Sequence, residues 1–337
     1  MKKVHVILAS LCAAVCALSS CGGVSDPTQV TVCMPDGAPA LALASVMKDD
    51  TDTDGITYKV IDTSTSMGVQ PLLAQLTNAD KEKNADFCVL PLSAASTKLG
   101  TATEYVMLGL VTQGNLYLVS QNTATYTKAN IADLCGKTVL VKQMAAVPGL
   151  TLKAALSRSM VQWTEYVNED SKASDKVNLA KIAATYDMEL LAEPAVSKRL
   201  AANTNLRVVG DLQELYGDGG LGQNGYPQAV LVVKKSFLQE NGDWTKTFVQ
   251  KIINGHTGEN AWLYTAQASA VYDAVSAHFY ETEQTAVFSA QTLSVETRRR
   301  CGVQFTYAAA AKTAVENYLT ETGVALPSAE FYWEYQA

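Results

Sequence analysis

Few residues in this chain of 337 are of the types that carry chemistry, and their spacing does not serve it. The histidines are His5, His256 and His278, and none opens an H-E-x-x-H pair of the kind that holds zinc. No G-x-S-x-G elbow presents a serine nucleophile. Cys33, Cys88, Cys135 and Cys301 lie far apart with no C-x-x-C, so they read as core thiols or, at most, one disulfide. Gly217-Asp218-Gly219-Gly220-Leu221-Gly222 matches G-x-G-x-x-G by letter, but a strand-like run follows where the dinucleotide fingerprint needs a helix. The expectation is therefore no catalytic residue, no metal site, no cofactor and no enzyme.

Instead, the chain places small and polar residues at corners between apolar runs. Asp36-Gly37-Ala38-Pro39 joins strand-like 30–33 to a helical run over 39–48. Gly37 tolerates a tight turn, and Pro39 suits a first helical turn, where a missing N–H costs nothing. Ala38 leaves room for a ligand to approach the amides of the helix start, which attract negative groups. The corner is thus either one wall of a ligand cleft or a plain helix start. The same logic marks Ser64, Thr65, Ser66 and Met67, then Leu92 and Ser93 after Pro91, and Gln143 and Met144 beside Lys142. Glu193 reads as a helix-start carboxylate or as a ligand contact. Gln113 and Asn115 interrupt a long β-prone stretch, as a bulge or as part of the site. These loops hold no arginine, which disfavours a doubly charged anion. A monoanion or a heterocycle remains. Tyr117 and Tyr226, near the crossings, are either core residues or stacking platforms.

Stepping along the chain, strands at 30–33, 57–61 and 87–90 alternate with helices at 39–48, 69–77 and 93–98, a rhythm that implies parallel pairing. After 105–119 the rhythm restarts with strands at 138–141, 188–191 and 206–209 and helices over 149–163 and near 195–202. A further long strand is expected over 228–237, and 244–337 reads as largely helical. Two α/β lobes joined by two extended crossings follow, with lobe 1 at 29–116 plus 229–337 and lobe 2, at 117–228, inserted in it. Thr297-Arg298-Arg299-Arg300 reads as a solvated helix face or a helix end, and 331–335 as a terminal segment packed on a lobe.

The amino terminus carries a processing signal. Lys2 and Lys3 precede an apolar run to Leu18, too short to span a bilayer comfortably and sized like a signal-peptide core. Leu18-Ser19-Ser20-Cys21 then resembles the bacterial lipobox, which implies a signal peptide at 1–20, acylation of Cys21, and a tether over 21–28. Loss of two lysines takes the basic count from 26 to 24 against 33 acids, a balance that suggests no nucleic-acid partner. With 48% apolar and 18% charged residues, a substantial core is available.

"MPDGAPALALA", "ADFCVLPLSAAS", "GNLYLVS", "DLCGKTVLV" with "PGLTLKAAL", and "ELLAEPAVSKRL" together resemble, in order, substrate-binding lipoproteins of ABC importers. The resemblance is to the nitrate/sulfonate/taurine and thiamine-precursor type, of the periplasmic-binding-protein type II fold, and spans about residues 30 to 260. It implies a two-lobed α/β monomer, held outside the bacterial cell membrane by its lipid, that closes on a small solute and delivers it to a permease. The solute would be a monoanion such as a sulfonate or carboxylate, or a heterocyclic vitamin precursor. A sensory or adhesive lipoprotein of the same fold is the alternative, and an enzyme of the pyrimidine-synthase type the third.

Overall fold

The structure is a computed structural model and describes residues 27, 29–48, 55–101, 104–166, 175–182 and 185–335. The expected signal segment 1–20, Cys21 and most of the tether lie outside the described residues. Strands β1 (Val30–Pro35), β2 (Ile56–Ile61), β3 (Phe87–Pro91), β4 (Tyr105–Thr112), β11 (Ala229–Lys234) and β12 (Val303–Tyr307) form one sheet. Strands β5 (Leu116–Ser120), β6 (Thr138–Leu140), β7 (Trp163–Tyr166), β8 (Val177–Ala180), β9 (Met188–Ala192) and β10 (Arg207–Asp211) form the other.

The first sheet runs β12-β4-β11-β3-β1-β2, with β1 parallel to β2 and β3 and with β11 antiparallel to both β3 and β4. The second runs β10-β5-β9-β6-β8-β7, with β6 parallel to β8 and β9 and with β5 antiparallel to β9. Every strand of the second sheet falls between β4 and β11 in the chain, so the second lobe is inserted in the first. Gln113-Gly114-Asn115 makes one crossing and residues 217–228 the other.

The apolar sequence explains the layering. All eight residues of β4 and the first four of β3 are buried, the pattern of strands covered on both faces. The helix Ala38–Met47 is apolar nearly all round and is buried between the sheet and the helices Gly242–His256 and Ala268–Ser276. Helix Gly242–His256 approaches it so closely that a Cβ on Gly255 would lie 1.7 Å from Ser45 Oγ. Cys33, Cys88 and Cys301 are buried free thiols and Cys135 is a half-buried one.

The structure departs from the sequence reading in four places. The strand expected over 228–237 ends at Lys234, because Lys234 and Lys235 turn their N–H groups to Asp86 and Glu104 and a helix, Lys235–Glu240, begins. Within the region after 244, expected to be largely helical, Val303–Tyr307 adds an edge strand to β4 that was not anticipated. Strands β7 and β8 were not anticipated. Arg298, in the last turn of the helix Val295–Arg300, sits at a helix end as one of the two readings had it, but is not solvated: it is 2% exposed and donates from Nη1 to the carbonyls of Leu263 (2.5 Å) and Ala266 (3.0 Å). The terminal segment does pack on the first lobe, where Trp333 N–H donates to the Met107 carbonyl and Phe331 is buried.

Candidate functional site

Strand order decides which corners become neighbours. At the carboxyl edge of the first sheet, Gln228 donates its N–H to the Thr112 carbonyl, Leu92 to the Gln228 carbonyl and Asp36 to the Ile61 carbonyl. The corners therefore follow one another in a row: Gln113, Gln228, Leu92-Ser93, Asp36-Gly37, then the Ser64–Met67 loop. In the second sheet Glu193 donates its N–H to the Asn115 carbonyl, and Val141 to that of Ala180. That row runs Asn115, Glu193, Lys142-Gln143-Met144 and Lys181. Both rows start from the three residues of one crossing, so the carboxyl edges of the two sheets converge there, the position where open α/β sheets take ligands.

The crossing is tightly specified. Gly114 has φ +103°, and a Cβ there would lie 2.8 Å from both Gln213 and Tyr226. Gln113 Nε2 donates to Thr306 Oγ1 (2.7 Å), and Gln223 Nε2 donates to Gln113 Oε1 (2.6 Å). Gln228 Nε2 donates to Asn115 Oδ1 (2.6 Å), and the Asn115 N–H to the Tyr226 hydroxyl (3.2 Å). The polar kink read from the sequence is thus a network that ties both crossings and β12 together. Tyr226 is fully buried and stacks on Tyr318 with centroids 5.9 Å apart, while the Tyr117 hydroxyl donates to the Arg300 carbonyl (3.0 Å). Both tyrosines are packed inside the protein.

Along the first row, the corner that begins the helix Ala38–Met47 is half covered. Asp36 Oδ1 accepts from Gly37 N–H (2.7 Å) and Oδ2 from Val287 N–H (2.8 Å), which holds a strap of chain over buried Gly37 and Ala38. Burial raises the Asp36 pKa against these two bonds. A tight crevice of about 10 Å³, no more room than one water needs, lies beneath the strap, lined by Asp36, Gly37, Leu41, Tyr272 and Phe288 among others. Leu92 is buried, Ser93 half-buried, and their helix Leu92–Leu99 has no side-chain cap. Ser64, Thr65, Ser66 and Met67 are all exposed, Met67 by 62%.

The second row is more open. Lys142, Gln143, Met144, Ala145, Ala146, Lys153, Glu165 and Lys181 line a groove of about 550 Å³ that opens to solvent. The helix Val147–Arg158 starts in it without a side-chain cap, and Gly149 lets the chain fold back: a Cβ would lie 2.1 Å from the Met144 carbonyl oxygen. Lys142 pairs with Glu189 (2.9 Å) and Lys153 with Glu165, whereas Lys181 has no ion pair among the described residues. The sequence reading missed Lys153 and Lys181. Glu193 faces inward instead: its side chain is 0% exposed, and its carboxylate accepts from Ser197 N–H (3.2 Å) and Arg300 Nε (2.5 Å). It thus serves the start of the helix Ala195–Ala202 and an ion pair with Arg300.

This architecture is the periplasmic-binding-protein fold, shared with substrate-binding proteins of ABC systems. No family model matches the sequence, and no curated protein matches it. Among solved structures, an ABC transporter protein from Parabacteroides distasonis is similar at 16% identity and TM-score 0.64, covering 92% of this chain and 100% of that one. The ligand-binding component of an ABC-type import system from Staphylococcus aureus, with zinc bound, is similar at 8% identity and TM-score 0.56, covering 91% and 97%. The alkanesulfonate-binding protein of Xanthomonas axonopodis pv. citri, bound to MOPS, is similar at 14% identity and TM-score 0.51, covering 92% and 99%. Among the described residues no helix is long and apolar enough to cross a membrane.

Proposed function

We propose that this chain is the extracytoplasmic solute-binding component of an ABC importer, anchored through acylated Cys21, closing its two lobes on a small solute and passing it to a permease. The observation that carries the reading is the convergence of both carboxyl edges on Gln113-Gly114-Asn115. Each edge presents an uncapped helix start of eight residues or more, Leu92–Leu99 on one lobe and Val147–Arg158 on the other. Lobe boundaries at 29–116 plus 229–337 and 117–228 go with it. Binding shifts an open–closed equilibrium because contacts from both walls exist only in the closed form.

An organic monoanion, a sulfonate or carboxylate, is the solute class we favour over a heterocyclic vitamin precursor. Lysine rather than arginine lines the second wall, and the Xanthomonas neighbour carries a sulfonate buffer. Among the described residues no three of His, Cys, Asp and Glu are grouped to hold a metal such as the zinc of the Staphylococcus neighbour. Thermal-shift screening against sulfonates, small carboxylates, aminopyrimidines and flavins tests the proposal. A native-state ligand at about 100 times its Kd stabilises by about 2.7 kcal/mol, which raises the melting point by several degrees. A hit whose shift disappears in Lys181→Ala places the solute in the second wall. No shift with any class, or a hit indifferent to both Lys181→Ala and Gly149→Ala, counts against this site.

A further inference from the structure

Residues 294–302 belong to the lobe of the first sheet, yet they bind the second lobe through side chains. The Glu193 carboxylate, at the end of β9, is buried with its side chain 0% exposed, and Arg300, 13% exposed, donates to it from Nε at 2.5 Å. Arg300 Nη2 donates to Ser197 Oγ (3.1 Å), and its Nη1 to Glu296. Ser197 Oγ stands 3.0 Å from Glu193 Oε1 and 2.8 Å from Thr297 Oγ1, which in turn is 2.9 Å from Ser294 Oγ. The carboxylate can only accept, so Ser197 spends its one hydroxyl proton on Glu193, accepts from Thr297, and leaves Thr297 to accept from Ser294. A run of hydroxyls thus ends on a buried charge that an arginine from the other lobe neutralises.

The backbone repeats the contact. The Gly302 carbonyl accepts the Gln113 N–H (2.8 Å), and Gly302, at φ +60°, lies so close that a Cβ would be 1.9 Å from the Gly114 carbonyl oxygen. The Arg300 carbonyl accepts the Tyr117 hydroxyl (3.0 Å). Residues 297, 300 and 302 therefore all touch either the second lobe or the crossing itself.

We infer that residues 294–302 form a third, non-covalent crossing between the lobes, pinned by the Arg300–Glu193 pair, so that the second lobe turns on three points of attachment rather than two. The inference rests on the two-lobed, closing protein proposed above. Because the pin abuts Gly114, rotation about the crossing displaces it little, and opening along that axis keeps the pair intact. Twisting about any other axis separates a buried carboxylate from its only cation among the described residues, which is strongly disfavoured. The pin restricts lobe motion to one axis, and Arg300 acts as a positioning residue that meets no solute.

The test is amide hydrogen exchange and small-angle scattering on the purified, solute-free protein, comparing wild type with Arg300→Met and Ser197→Ala. In Arg300→Met the amides of the helix Ala195–Ala202 exchange about a hundredfold to a few thousandfold faster, the range that breaking one buried ion pair corresponds to. The radius of gyration rises, while amides in β1, β3 and β6 keep their wild-type rates. Ser197→Ala, which keeps the charge pair, gives a smaller rise at the same amides and decides the matter if Arg300→Met does not fold. Unchanged exchange at 195–202 with an unchanged radius overturns the inference, as does faster exchange spread evenly over both sheets. No solute enters the experiment, so a failure to find one leaves this result standing.

Discussion

His256 is a buried imidazole whose Nε2 meets no partner among the described residues. Burial lowers its pKa from 6.5 to about 4, since a charged ring there would lose its water. Between those values the unfolded chain takes up a proton that the folded one refuses. The contribution is therefore complete above pH 6.5 and is lost as pH falls towards 4. Asp36 pulls the other way, because burial raises its pKa and protonation relieves it. Comparing the protein with His256→Gln cancels that opposing effect. The stability gap between them, measured by urea unfolding, should narrow by about 3 kcal/mol from pH 7 to pH 4. A gap that stays constant would mean the imidazole titrates normally. Asp36 itself makes a separate prediction. Asp36→Ala removes the acceptor of the Gly37 and Val287 N–H groups and should cost about 1–3 kcal/mol. It should also open the chain near Val287 to limited proteolysis well before the sheets unfold; equal cleavage rates would show the strap is held by packing instead.

At the scale of elements, the start of the helix Val147–Arg158 depends on Gly149. Gly149→Ala drives a methyl into the Met144 carbonyl, so the Gln143–Ala146 turn must move, at a cost of about 1–3 kcal/mol. Solute affinity should fall with it, which titration calorimetry on a thermal-shift hit would read; an unchanged Kd would put the solute elsewhere. Local sequence rules were enough for elements of this kind. The helix Ala195–Ala202 was legible at both ends, and β1, β3 and the kink at 113–115 were legible from apolar runs broken by Gly and Pro. Strands β7 and β8, four residues each, were too short to show a period. Strand β12 was hidden between helices, and it pairs with β4, nearly two hundred residues earlier in the chain. The uses of Gln113 and Glu193 were illegible for the same reason. Their partners Thr306 and Arg300 lie 193 and 107 residues away, and nothing local announces them.

For the whole molecule, two sheets of six strands and the insertion of one lobe in the other follow from the order of strands in the chain. The cleft residues then divide by employment. Gln113, Asn115 and Glu193 hold the lobes to each other, Asp36 holds a strap, and Ser93, Gln143, Met144, Lys142 and Lys181 stand near the two uncapped helix starts. Under the proposed function, that division would put the solute between Leu92–Leu99 and Val147–Arg158. Amide hydrogen exchange with and without a bound thermal-shift hit tests it directly. Bound solute should slow exchange at the starts of both helices together, residues 92–95 and 145–150, one on each lobe. Protection confined to a single lobe, or falling away from both helix starts, would contradict it.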